Sequence, residues 1–177
     1  MGNQIFDRFH RSEFSDEIFA IFGRALTVAT RFDASTKALA RLPFIKVAIV
    51  EKPALNDEEF NKLVQTINKK YKNLNRAIFS LKLNEDIKGL LTQARESRNE
   101  LIHEVTLGTT ENYENVYSID LSLFLDHVKD LVHDVIKGDA LISTIISIQN
   151  KEPISDYQFT DKYESQYVDW VMKRFES

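Results

Sequence analysis

The chain has no cysteine, which excludes disulfides and thiolate metal sites. Glycine (5) and proline (3) are scarce, and that argues against an all-β protein, which needs turn residues roughly every ten positions. The few glycines are isolated, so no GxGxxG or GxxxxGK[ST] phosphate loop can be formed. Long apolar runs are missing too. The two longest, residues 42–50 and 140–148, are far shorter than the roughly 20 residues a membrane span needs and carry polar side chains. The opening residues Met1 to Phe6 have neither a basic region nor an apolar stretch, so no secretory signal is expected. Gly2 is not followed by the Ser or Thr that myristoylation requires at position six, where Phe6 stands. These absences predict a cytoplasmic protein with no membrane partner.

What is present is one domain's worth of chain, 177 residues, long enough to bury a core. Its charge is unevenly spread. From Lys62 to Arg98 there are nine basic residues against three acidic ones, a stretch of +6 within a chain of net charge −4. Such asymmetry suits a polyanionic partner on one side; a solvated helix face with counter-charges on neighbouring helices would look the same.

Apolar residues recur with helical spacing throughout, and no repeat or linker divides the chain. Residues 12–41 carry Phe14, Ile18, Phe22, Ala25, Ala29 and Phe32 three and four apart, one buried face of a helix. Pro43 is expected to end or kink it. A second helix opens on the capping-box pattern Asn56-x-x-Glu59 and continues through Phe60, Val64, Ile67, Tyr71, Leu74, Ile78 and Leu81, three heptads of one long helix. A third runs from about Asn84 to Leu107, broken by Gly108 and the polar loop that follows. The fourth carries Leu121, Phe124, Val128, Leu131 and Val135, with Gly138 a point of interruption before residues 140–148. The fifth, from about Ser155, holds Phe159, Tyr163, Tyr167, Trp170 and Val171. Long helices with short connections predict a single all-α domain over residues 1–177, an up-and-down bundle of four to five long helices.

The third helix breaks its own pattern. At about 100° per residue, Ile87, Leu91, Ala94, Leu101, Ile102 and Val105 all fall within roughly 60° of Arg98. Arg98 thus stands in the apolar stripe, where an unpaired guanidinium is costly to bury. It needs a carboxylate (Asp33 or Asp7 would serve), backbone carbonyls, an anion or a partner subunit. Asn99 and His103 are four apart and can touch. Arg98 and His103 are five apart and diverge by about 140° on an ideal helix, so two copies about a twofold axis could join them where one could not.

The hexapeptide Arg98-Asn99-Glu100-Leu101-Ile102-His103 resembles the Arg-x(4–6)-His signature of the HEPN superfamily, including its frequent polar residue after the arginine. The resemblance covers residues 84–107 and, loosely, the bundle. It implies an HEPN-like fold and a metal-independent endoribonuclease of antiviral defence or a toxin module. The active form would be a homodimer with a composite site, checked by an antitoxin or regulatory protein. Arg98 and His103 would be catalytic, Asn99 supporting, and no cofactor is implied. In one branch a tyrosine stands two residues after the histidine; here that position is Val105. The chemistry is reasonable in itself. An imidazole can take a proton from a ribose 2′-hydroxyl or return one to the leaving oxygen, and a guanidinium can hold the nonbridging oxygens. The product would carry a 2′,3′-cyclic phosphate. The competing expectation is a non-catalytic HEPN-like module that docks a protein or a nucleotide.

Other groupings are weaker. Lys69, Lys70, Lys72, Arg76 and Arg95 could track an RNA backbone, with Tyr71 available to stack, although Tyr71 also lies on the core stripe. Asp126, Asp130 and His133 share a face of the fourth helix beside His127 and Asp134, but alternation with Lys129 and Lys137 reads as a solvated face, so no metal site is expected. His10, between Arg8 and Arg11, reads as a surface residue, and no Ser-His-Asp grouping suggests a triad.

Overall fold

A computed structural model describes residues 13–51, 55–105, 121–154 and 160–173. These form six α-helices and one π-helical segment, with no strand among the described residues. No helix among them is long and apolar enough to cross a membrane. The helices are α1 (Glu13–Glu51), α2 (Asp57–Lys70), α3 (Leu74–Ser80), α4 (Glu85–Glu100), α5 (Leu121–Asn150) and α6 (Asp161–Met172); the π segment, Leu101–Val105, continues α4.

Side-chain pairs fix the directions. Along α4, Ser97 and then Glu100 meet Asp134 and then His127 of α5, so these two run antiparallel. Along α1, the Phe22 ring meets that of Phe124 edge-on and Arg31 pairs with Asp139, so α1 and α5 run parallel. Arg24 and Arg31 of α1 reach Val171 and Tyr167 of α6, which therefore descends beside α1. The result is an up-down-up-down arrangement of α1, α4, α5 and α6, with α2 and α3 as an excursion on one side. Phe32, Leu39, Ile78, Leu91, Val128 and Ile142 are among the side chains that fill the main core.

Three boundaries differ from the sequence expectation. Pro43 neither ends nor visibly divides α1, which runs on to Glu51. A proline inside a helix costs roughly 3 kcal/mol. Here the proline itself is exposed, and the helix beyond it is held by packing: Ile45 against the cluster that contains Ile67 and Tyr71, and the Phe44 ring 5.5 Å from that of Tyr71.

The expected long second helix is two. The capping box forms as read, Asn56 accepting from the Glu59 N–H at 2.9 Å and Glu59 from the Asn56 N–H at 3.3 Å. The heptad pattern is then interrupted at residues 71–73, because Asn73 caps a new helix by accepting from the Arg76 N–H. The stripe still buries Ile67, Tyr71, Leu74 and Ile78, but Tyr71 and Ile67 serve a second small cluster with Ala40 and Ala77.

Gly138 does not interrupt α5, which is continuous. A Cβ at Gly138 would lie 2.5 Å from the Ala94 Cβ and 3.0 Å from the Phe32 ring, so this glycine lets α1, α4 and α5 converge. The break expected at Gly108, the residues His10 and Asp7, and the first residues of the fifth helix lie outside the described residues. From Thr160 onward the fifth helix is observed, Thr160 capping α6 by accepting from the Tyr163 N–H.

Candidate functional site

The site is built on α4. Asn84 caps its start by accepting from the Ile87 N–H at 2.9 Å, and Glu85 and Asp86 complement the positive end of its dipole. One edge is fastened to α5: Ser97 donates to Asp134 at 2.8 Å and Gln93 donates to the other oxygen of the same carboxylate at 3.0 Å. One turn on, Glu100 and the His127 ring are 2.6 Å apart. These contacts, with buried Leu91, Ala94 and Leu101, hold the rotation of α4 and turn Arg98 away from α5, toward α1.

On that side Arg98 finds Asp33, one of the two carboxylates proposed for it from the sequence. The contact is loose, 3.7 Å from Nη2 to Oδ1, too long for a hydrogen bond. Asp33 is held more tightly by Lys37, one turn along α1, at 2.6 Å. The Arg98 Nη1 donates to Asn99 Oδ1 at 3.0 Å, and its buried Nε has no partner. Arg95, one turn earlier, pairs with Glu96 at 2.8 Å and likewise keeps a buried, unpartnered Nε. Two guanidinium groups on successive turns of one helix therefore retain unused donors, the Arg98 group next to the Asp33–Lys37 pair. An oxyanion would satisfy them, since each unmade buried hydrogen bond carries a desolvation cost.

His103 is exposed, on the π segment. This alters the geometry inferred from an ideal helix. A π-helix closes i→i+5 hydrogen bonds over a wider turn, so residues five apart come closer to one face. The divergence of Arg98 and His103 is thereby reduced. Asn99 engages Arg98, and among the described residues no hydrogen bond joins it to His103.

Sequence reasoning missed Lys37, although Asp33 and Lys37 four apart on one helix face are a recognisable pair. It also missed a buried carboxylate paired with a half-exposed arginine. Asp139 is 1% exposed and lies on the α5 stripe with Val135 and Ile142; it meets Arg31 at 2.9 Å. Tyr167 covers the same guanidinium, accepting from Nη1 at 3.3 Å with its ring 5.9 Å away. Burial pushes the Asp139 carboxyl up to about 6, against the opposing pull of Arg31. Its folded value is raised, so between about pH 4 and 6 the folded chain binds the proton more tightly than the unfolded one. This carboxyl therefore costs stability as pH rises through that window and costs a constant amount above it, on the order of 3 kcal/mol. Asp139→Asn is expected to remove that slope, as read from denaturant midpoints at pH 5 and pH 7.

The α5 face read as solvated is exposed at Asp126, His127, Lys129, Asp130 and Lys137, and its histidines also reach neighbouring helices: His127 meets Glu100, and His133 lies 3.3 Å from Glu164 of α6. Among the described residues no group of three or more His, Asp or Glu side chains could hold a metal. The chain matches no family model, no curated protein and no solved structure.

Proposed function

We propose that this protein is an HEPN-like endoribonuclease whose reaction is carried by Arg98 and His103 and needs no metal. The observation that supports the reading best is the state of Arg98. It is held toward α1 by one loose ion pair and one side-chain hydrogen bond, with its buried Nε left without a partner, one short segment from an exposed histidine on a locally widened turn. π segments of this kind concentrate at functional sites. In the reaction His103 accepts the 2′-hydroxyl proton, the 2′-oxygen attacks phosphorus as the bond to the 5′-oxygen breaks, and the imidazolium returns the proton to that leaving oxygen. Arg98 neutralises the nonbridging oxygens as charge builds on them.

A homodimer belongs to this reading, and α1 carries a surface suited to it. Phe19, Gly23, Leu26 and Thr30 stand at spacings of four, three and four, all exposed, and the same face continues into Asp33 and Lys37. Two large apolar side chains thus alternate with two small residues that let a second helix approach. A second copy on this seam would bury Phe19 and Leu26 on the side of α1 that leads to Arg98.

The test is purified protein with total RNA in EDTA, with cleaved ends mapped and mass measured in solution. The expected result is a dimer that leaves 2′,3′-cyclic phosphate ends. A folded dimer that leaves RNA intact would favour the adaptor reading.

A further inference from the structure

We propose that the corner where α2 meets α3 is a docking surface for single-stranded RNA. Lys69, Lys70, Lys72 and Arg76 would follow the phosphates, and Phe44 and Phe79 would stack on bases. No acidic residue occurs between Glu59 and Glu85, and among the described residues none of these four cations forms an ion pair; the nearest basic neighbour on α2, Lys62, uses Glu58.

Helix electrostatics account for only part of this charge. Lys69 and Lys70 sit in the last turn of α2, where cations offset the negative end of the dipole. Lys72 and Arg76 sit at the start of α3, where cations are unfavourable and where no acid is present in the first turn. Charge gathered against the local dipole, and left unpaired, points to an external anion. Arg41 adds to the same corner: it donates to the Tyr71 carbonyl at 3.3 Å and keeps a buried Nε without a partner.

The aromatic residues choose the form of the ligand. Tyr71 is buried and is not the stacking residue. Phe44 is 43% exposed with the Lys70 ammonium 4.2 Å from its centroid, and Phe79 is 59% exposed, one turn beyond Arg76. Exposed rings among unpaired cations suit splayed bases, whose faces a duplex keeps covered.

The proposal shares with the nuclease reading only the choice of RNA as ligand. Its test therefore uses a single-stranded 2′-O-methyl oligoribonucleotide, which lacks the attacking hydroxyl, so either idea can fail alone. Binding of wild-type protein is followed by fluorescence anisotropy across a salt series. Lys69→Gln with Lys72→Gln is expected to reduce the salt slope by about 1.4, at roughly 0.7 per phosphate contact. Phe79→Ala is expected to weaken binding about 10-fold at an unchanged slope. All these positions are exposed, and circular dichroism checks that the variants stay folded. Variants that bind like wild type, a matching duplex bound as tightly as the single strand, or preference for phosphatidylserine vesicles over the oligonucleotide would each overturn the proposal.

Discussion

His103→Ala is expected to lower RNA cleavage by about 10²- to 10⁴-fold, the range a general acid–base contributes, with the thermal midpoint unchanged. His103 is exposed and lies at the end of the described part of α4 and its extension, so its removal leaves no cavity. Arg98→Ala is expected to match that loss for a different reason, the missing neutralisation of the phosphorane oxygens. Its effect on stability should also be small. Asp33 keeps its 2.6 Å partner Lys37, and only a 3.7 Å contact is given up. Arg98→Lys separates charge from geometry, because an ammonium supplies the charge without the two-pronged donor set. Partial activity in Arg98→Lys with none in Arg98→Ala would place the arginine on the phosphate. If His103→Ala and Arg98→Ala both cleave like wild type, with the same ends, neither residue is catalytic and the reading fails.

The arginine was legible because a charge in the middle of an apolar stripe must be answered by something, and the structure answers it with Asp33. The same logic applied to α5 would have singled out Asp139, which stands between Val135 and Ile142 on a buried face. It was overlooked because Gly138 read as a break, which removed the stripe that made Asp139 anomalous. Helix starts set by side-chain caps were readable at Asn56 and Asn84. Asn73 was not, since an unbroken heptad pattern ran across it and the local cap won over the pattern. The π segment had no signal at all. Leu101 to Val105 read as ordinary helix, and nothing in those residue types marks a wider turn. That is the feature on which the angle between Arg98 and His103 turns, so the residues of the candidate site could be named from the sequence while their geometry could not.

Gly138→Ala and Gly89→Ala make the same chemical change in the interior of a helix and should move stability in opposite directions. In both, alanine gains up to about 1 kcal/mol of helix propensity over glycine. At Gly89 the added methyl meets nothing within 4 Å, so the gain is kept. At Gly138 it would meet Ala94 Cβ at 2.5 Å and the buried Phe32 ring at 3.0 Å. Ala94 has no side-chain freedom with which to withdraw, so α4 must move from α5, and α4 is tied there by the Ser97–Asp134 bond and the Glu100–His127 contact. Overpacking of this kind costs about 1–3 kcal/mol, which after the propensity gain leaves Gly138→Ala as much as about 2 kcal/mol less stable than wild type. Gly138→Val has two further methyl groups and little propensity gain, and should lose about 3 kcal/mol or more. For a chain of this size each kcal/mol moves the thermal midpoint by roughly 2–4 °C. Calorimetry should therefore separate the three variants clearly: Gly89→Ala above wild type, Gly138→Ala below it, and Gly138→Val lowest. The displacement of α4 should also reach Arg98, which it positions, so Gly138→Ala is expected to lose cleavage activity at temperatures where it is still folded. If Gly138→Ala proves as stable as Gly89→Ala, the three helices do not converge at this glycine, and the placement of Arg98 against Asp33 loses its support.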